Sequence, residues 1–189
     1  HGNELWKTDG TVEGTELVKN IVIMNTGQGG SDGGSYPDQL TACDDKLFFT
    51  ADNLSWGREL WVSDGTDAGT YMVKDIRDPS WNGGGGDPSS YPSCLTAFDD
   101  ILYFAAIQED SVVQSSWALW KTDGTNAGTE AIIHSEVGNT NWNPFDYFTV
   151  FNDNLYFFLY GLTYDGLYRT DGTESGTVLV KTGGAFHIT

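Results

Sequence analysis

Glu4-Leu5-Trp6-Lys7-Thr8-Asp9-Gly10-Thr11, followed by Gly14-Thr15, is the stretch on which the fold turns. It recurs as Glu59-Leu60-Trp61-Val62-Ser63-Asp64-Gly65-Thr66 with Gly69-Thr70, and as Ala118-Leu119-Trp120-Lys121-Thr122-Asp123-Gly124-Thr125 with Gly128-Thr129. A fourth copy reads Gly166-Leu167-Tyr168-Arg169-Thr170-Asp171-Gly172-Thr173 with Gly176-Thr177. The Asp positions step by 55, 59 and 48 residues. Spacing of that size marks a supersecondary unit that cannot bury its apolar face alone and stacks on its neighbours.

Working outward, each copy leads into a strand-like run: Glu16–Ile21, Tyr71–Ile76, Ala131–Ile133 and Val178–Lys181. Copies two to four are preceded by two more runs, Leu40–Cys43 with Leu47–Phe49, Leu95–Phe98 with Leu102–Phe104, and Phe148–Phe151 with Leu155–Phe158. Asp44-Asp45, Asp99-Asp100 and Asn152-Asp153 separate these pairs and suit two-residue hairpins. A full repeat therefore predicts four short strands, A to D. Successive apolar residues such as Leu47-Phe48-Phe49 predict sheets buried on both faces, because a half-solvated sheet alternates. The expected fold is all-β, a small β-propeller of four-stranded antiparallel blades, as one repeat domain over 1–189. Its C–D hairpins lie near 4–21, 59–76, 118–133 and 166–181.

The chain opens at strand C of one blade and closes after strand D of the fourth. Three outcomes stay open: a ring closed by the tail Ala185–Thr189, a fragment of a larger ring, or a half-blade completed by the next molecule. Because the chain begins at His1, the lack of a leader segment carries no weight.

Composition narrows the function. Lys plus Arg number 9 against 27 Asp plus Glu, a net charge of −18, which opposes nucleic acid and anionic membranes as partners. No apolar run is long enough for a membrane helix. Nineteen of the acids are Asp and 24 residues are Gly, a bias towards turns and away from helices.

Asp9-Gly10, Asp64-Gly65, Asp123-Gly124 and Asp171-Gly172 have a structural reading. Gly supplies positive φ, Asp bonds its own turn, and Thr and Gly-Thr close the loop. In layout this resembles the Asp-box of sialidase-type propellers, where Asp and Gly hold the turn without catalysing. More closely, the chain resembles the ELWxTDGTxxGTxLVKDI repeats of large secreted and surface proteins of bacteria and some algae, over essentially its whole length and including Pro37, Pro92 and Pro144. It departs at Tyr168, and at Ile133-His134-Ser135. The resemblance implies an extracellular repeat module without assigned chemistry.

Calcium is a compositional candidate, with Asp32, Asp44, Asp45, Asp99 and Asp100 as the oxygen donors, although no spaced Asp-x-Asp-x-Asp-Gly loop occurs. Trp6, Trp61 and Trp120 are periodic and predict packing between blades; Trp117 lies outside the repeat positions. Trp56, Trp81 and Trp142 also fall outside, and are candidate glycan or partner contacts. Asn53-Leu54-Ser55 is a candidate glycosylation sequon. Cys43 and Cys94 admit a bridge between neighbouring inner strands or two separate thiols. Arg58, Arg77 and Arg169 invite comparison with an arginine triad, but Arg169 fills the repeat slot of Lys7 and Lys121. No catalytic constellation assembles from His1, His134 and His187 or from the acids.

The expectation is thus a non-enzymatic extracellular structural or adhesive module. It self-associates, or meets other matrix and surface components, and is in outline the unit of a fibril. The alternative is a lectin-like propeller that binds glycans through loop tryptophans.

Overall fold

A computed structural model describes residues 2–23, 33–77, 88–110, 114–138, 142–161 and 165–183. The protein is all-β, with four antiparallel sheets in chain order and no helix among the described residues. Sheet I pairs β1 (Leu5–Lys7) with β2 (Glu16–Lys19). Sheet II holds β3 (Asp38–Cys43), β4 (Lys46–Asn53), β5 (Gly57–Ser63) and β6 (Tyr71–Met72). Sheet III holds β7 (Ser93–Phe98), β8 (Ile101–Asp110), β9 (Gln114–Thr122) and β10 (Glu130–Gly138). Sheet IV holds β11 (Phe145–Phe151), β12 (Asn154–Leu159), β13 (Gly166–Thr170) and β14 (Val178–Thr182). In sheets II to IV each strand bonds to its sequence neighbour, which is the predicted A–B–C–D meander.

Two of the three A–B turns have the geometry that their residues favour. Asp99 and Asp100 sit at φ 50° and 59°, and Asn152 and Asp153 at 47° and 53°, the left-handed pair of a type I′ hairpin. Each A strand begins earlier than its apolar run because a bulge lies inside it. Gln39, Cys94 and Tyr147 take φ values of 52°, 58° and 55°, and the register slips between Asp38 and Thr41, Ser93 and Thr96, and Asp146 and Thr149. Three unrelated side chains in one left-handed slot show that the backbone is set by the sheet and not by local preference.

The sheets stack face to face in chain order through three apolar layers. Between I and II lie Leu5, Val18, Ile21 and Val22 against Phe49, Ala51 and Trp61. Between II and III lie Phe48, Leu60, Val62 and Val73 against Phe104, Ala106, Ala118 and Trp120. Between III and IV lie Tyr103, Leu119 and Ile132 against Phe145, Leu155 and Phe157, with Tyr168 half-buried beside them. Neighbours in sequence point opposite ways: Phe48 faces sheet III and Phe49 faces sheet I, and both are buried. Burial on both faces is why the run is continuously apolar. Each such side chain contributes about 1.5–3 kcal/mol. The A strands also meet, β3 touching β7 and β7 touching β11. There Gln39 Nε2 donates to the Pro92 carbonyl at 3.1 Å.

One expectation is corrected, and the cysteines take one of their two readings. Trp6 is not a packing residue like its counterparts, being 51% exposed where Trp61 and Trp120 are 5% and 6% exposed. The repeat Trp packs on the preceding sheet, and none of the described residues covers the rear of sheet I. The Cys43–Cys94 bridge is not formed, and both thiols are free. Cys43 ends β3, while Cys94 is the second residue of β7. Equivalent A strands put those positions four residues apart, roughly 13 Å at 3.3 Å per residue, beyond the span of about 4.4–6.8 Å that a disulfide tolerates between Cα atoms. The tail Ala185–Thr189, on which ring closure depended, lies outside the described residues.

Candidate functional site

The repeated turn has one geometry in all four copies. Asp9 Oδ1 accepts from the Thr11 amide at 2.9 Å and from Thr11 Oγ1 at 2.7 Å, and Thr11 Oγ1 in turn accepts from the Gly14 amide at 2.9 Å. Thr15 Oγ1 donates to the Thr11 carbonyl at 2.6 Å and lies 2.7 Å from Thr8 Oγ1. The same set recurs around Asp64, Asp123 and Asp171. These bonds hold all four carboxyls below the usual range, the Thr side-chain donor contributing most. Gly10, Gly65, Gly124 and Gly172 have φ between 84° and 92°. The second glycine is fixed differently: a Cβ on Gly69 would lie 2.1 Å from the Asp64 carboxylate. The Asp and Thr side chains of each turn are therefore engaged within their own loop.

The turns also take lysines from the preceding sheet. Lys19 Nζ donates to the Asp67 carbonyl at 2.8 Å and Lys74 Nζ to the Thr129 carbonyl at 2.9 Å. Lys46 reaches the Asp123 carbonyl at 3.0 Å and Lys121 the Gly172 carbonyl at 2.9 Å. Lys74 also lies 5.8 Å from the Trp120 ring centre. Carbonyls of the tight turn thus become inter-sheet acceptors, that of Asp67 also accepting from the Thr70 amide at 3.4 Å, and the lysine bonds are charge-assisted.

The repeat glutamate was not singled out by the sequence. Glu4 Oε1 accepts from the Val22 amide at 3.1 Å, and Oε2 accepts from the Ile21 amide at 3.3 Å and from Ser35 Oγ at 2.5 Å. Glu59 repeats this with the Ile76 amide, the Ser90 amide at 2.8 Å and Ser90 Oγ at 2.5 Å. Each buried carboxyl ties the end of its own sheet to the segment entering the next. Burial outweighs the donors at Glu59 and pushes its carboxyl up to about 8, with Asp75 adding to the rise. Sheet III carries Ala118 in the Glu slot, and the linker that follows has Trp142 in place of serine. That paired replacement, beside the doubled Ser-Tyr-Pro at 35–37 and 90–92, is the signal that reveals the contact.

The other candidates scatter. Trp142 is half-exposed and meets Tyr160 edge-on at 6.1 Å, and Trp56 is exposed on the β4–β5 turn. Trp117 is buried in β9, within the layer between sheets III and IV. Asn53 Oδ1 accepts from the Ser55 amide at 2.9 Å, with Leu54 and Trp56 exposed beside it. Asp44, Asp45, Asp99 and Asp100 are exposed at A–B turns, and no three His, Cys, Asp or Glu side chains among the described residues form a metal-holding group. Asp32, Trp81, His1 and His187 lie outside the described residues. His134 Nδ1 is 2.9 Å from Gln108 Nε2.

The arginines serve separate partners. Arg58 bonds Thr50 Oγ1, Asp52 and the Tyr36 carbonyl; Arg77 pairs with Glu109 at 2.7 Å; Arg169 reaches Asn154. Cys94 Sγ donates to the Phe145 carbonyl at 3.6 Å, and burial pushes its thiol up to about 11. Cys43 is buried and likewise raised by desolvation.

No family model, curated protein or solved structure matches the chain.

Proposed function

We propose that the protein is a non-enzymatic extracellular structural or adhesive module, its sheets arranged as propeller-like blades and its copies self-associating. The observation that carries this reading is the consumption of the repeat motif by architecture. Asp, Gly and Thr close the turn, Lys bridges to the next sheet, and Glu ties down the linker. What remains for interaction is the surface: exposed turns, exposed sheet faces and a net charge of −18 that keeps copies soluble and makes contact between them sensitive to salt and divalent cations. The stacking order and the contacts among β3, β7 and β11 support a propeller-like arrangement. Immunogold microscopy of intact source cells, with and without EDTA, tests the assignment. Label on surface material is expected; label confined to the cell interior overturns it.

The half-exposed Trp142–Tyr160 pair favours a second reading, glycan binding by stacking. It predicts a sugar-dependent shift of tryptophan fluorescence that Trp142→Ala removes.

A further inference from the structure

The two ends of the stack carry the two halves of one interface. Inside the molecule that interface occurs three times, always with the same polarity: the forward face of one sheet meets the rear face of the next. The forward position after the turn is Val18, Val73 and Ile132 in sheets I to III, 5%, 3% and 6% exposed. Its counterpart in sheet IV, Val180, is 49% exposed. The rear position pairs an aromatic with its strand neighbour, Trp61 with Met72, Trp120 with Ala131 and Tyr168 with Leu179. In sheet I the same pair, Trp6 with Leu17, has an exposed tryptophan.

The polar half of the joint matches independently. Lys181 occupies the slot of Lys19 and Lys74, which bond the next turn, and Arg169 that of Lys121. Lys181 is exposed. The corresponding acceptors on the first turn are the carbonyls of Gly10, Val12 and Thr15, beside the acids Asp9 and Glu13. Sheet IV thus offers cations and an apolar face, and sheet I offers an apolar face and an acidic turn whose carbonyls stand in the acceptor positions.

We propose that the occupant of the sheet IV face is the sheet I face of a second copy, seating Trp6 and Leu17 against Val180 and Leu167 while Lys181 and Arg169 bond the Asp9–Thr15 turn. The contact is heterologous, so it propagates head to tail. The inference rests on the self-associating module proposed above and specifies its joint.

Two blocked chains of the 189-residue protein test it by sedimentation velocity. Trp6→Glu removes the rear half and Val180→Glu the forward half. Each alone is expected to be monomeric, and the equimolar mixture to form a 1:1 dimer that grows no further, because each chain keeps the half that the other lacks. Dimer formation on mixing also reports that both variants fold. Lys181→Glu, a change at an exposed residue, is expected to weaken association of the otherwise intact chain by ~10-fold, about 1.4 kcal/mol. Wild-type assembly that survives both glutamate variants overturns the joint but leaves self-association standing. A monomeric wild type in which Trp6 is shielded from acrylamide means that the faces close within one chain, and overturns the inference together with self-association.

Discussion

At the scale of single residues, the second glycine of the motif and the buried glutamate make the sharpest demands. Gly69→Ala drives a Cβ to 2.1 Å from the Asp64 carboxylate and must displace the acceptor of two Thr66 bonds. A loss of about 2 kcal/mol is expected in urea unfolding. Gly10→Ala meets nothing within 4 Å and carries only the strain of φ 92°, about 1 kcal/mol. Glu59 gives a pH signature. Its carboxyl is raised to about 8 in the folded chain from an ordinary 4.5, so between those values the folded state holds a proton that the unfolded state has released. Its contribution to stability is full below 4.5 and is lost as pH rises through 8. The slope is about −1.4 kcal/mol per pH unit across that window. Glu59→Gln, which keeps an acceptor for the Ser90 amide, should flatten it in urea titrations at pH 5, 6.5 and 8. The cysteines give a third expectation: both thiols are slow towards iodoacetamide at pH 8 in the folded protein, and both react without reductant once it is unfolded.

At the scale of elements, the inter-sheet lysines decide how strongly neighbouring units couple. Lys74 holds the Thr129 carbonyl at 2.9 Å and covers the Trp120 ring, so Lys74→Met is expected to cost about 1–2 kcal/mol. Lys7 is paired with exposed Glu16 at 3.0 Å, and Lys7→Met should change stability by less than about 0.5 kcal/mol. Thermal unfolding of the two variants distinguishes coupling through the turn from charge alone. The strand order and the hairpins were legible in the sequence, because apolar runs, Asp-Asp turns and Thr-Asp-Gly-Thr loops each carry a local rule. The A-strand bulges were not, since Gln39, Cys94 and Tyr147 share no property that favours positive φ. The Glu–Ser ties were hidden too: they join positions 31 residues apart, and a buried carboxylate reads as an exposed one until its donors are placed. Trp6 misled for the opposite reason. Periodicity reported the slot correctly but not the absence of a sheet behind it among the described residues.

At the scale of the whole molecule, one directional contact built three times leaves a forward face at one end and a rear face at the other. On the joint proposed above, copies extend head to tail, and the acidic surface makes that growth dependent on ionic conditions. The candidate site was therefore only half legible. The motif and its turn-closing role were legible, whereas the lysines that take its carbonyls, and the exposure of Trp6 and Val180 on the two end sheets, were not. The most direct measurement is negative-stain electron microscopy of the purified chain at rising concentration, in low and high salt and with EDTA. Filaments whose longitudinal repeat is one chain are predicted, whereas discrete closed particles under every condition would contradict the account.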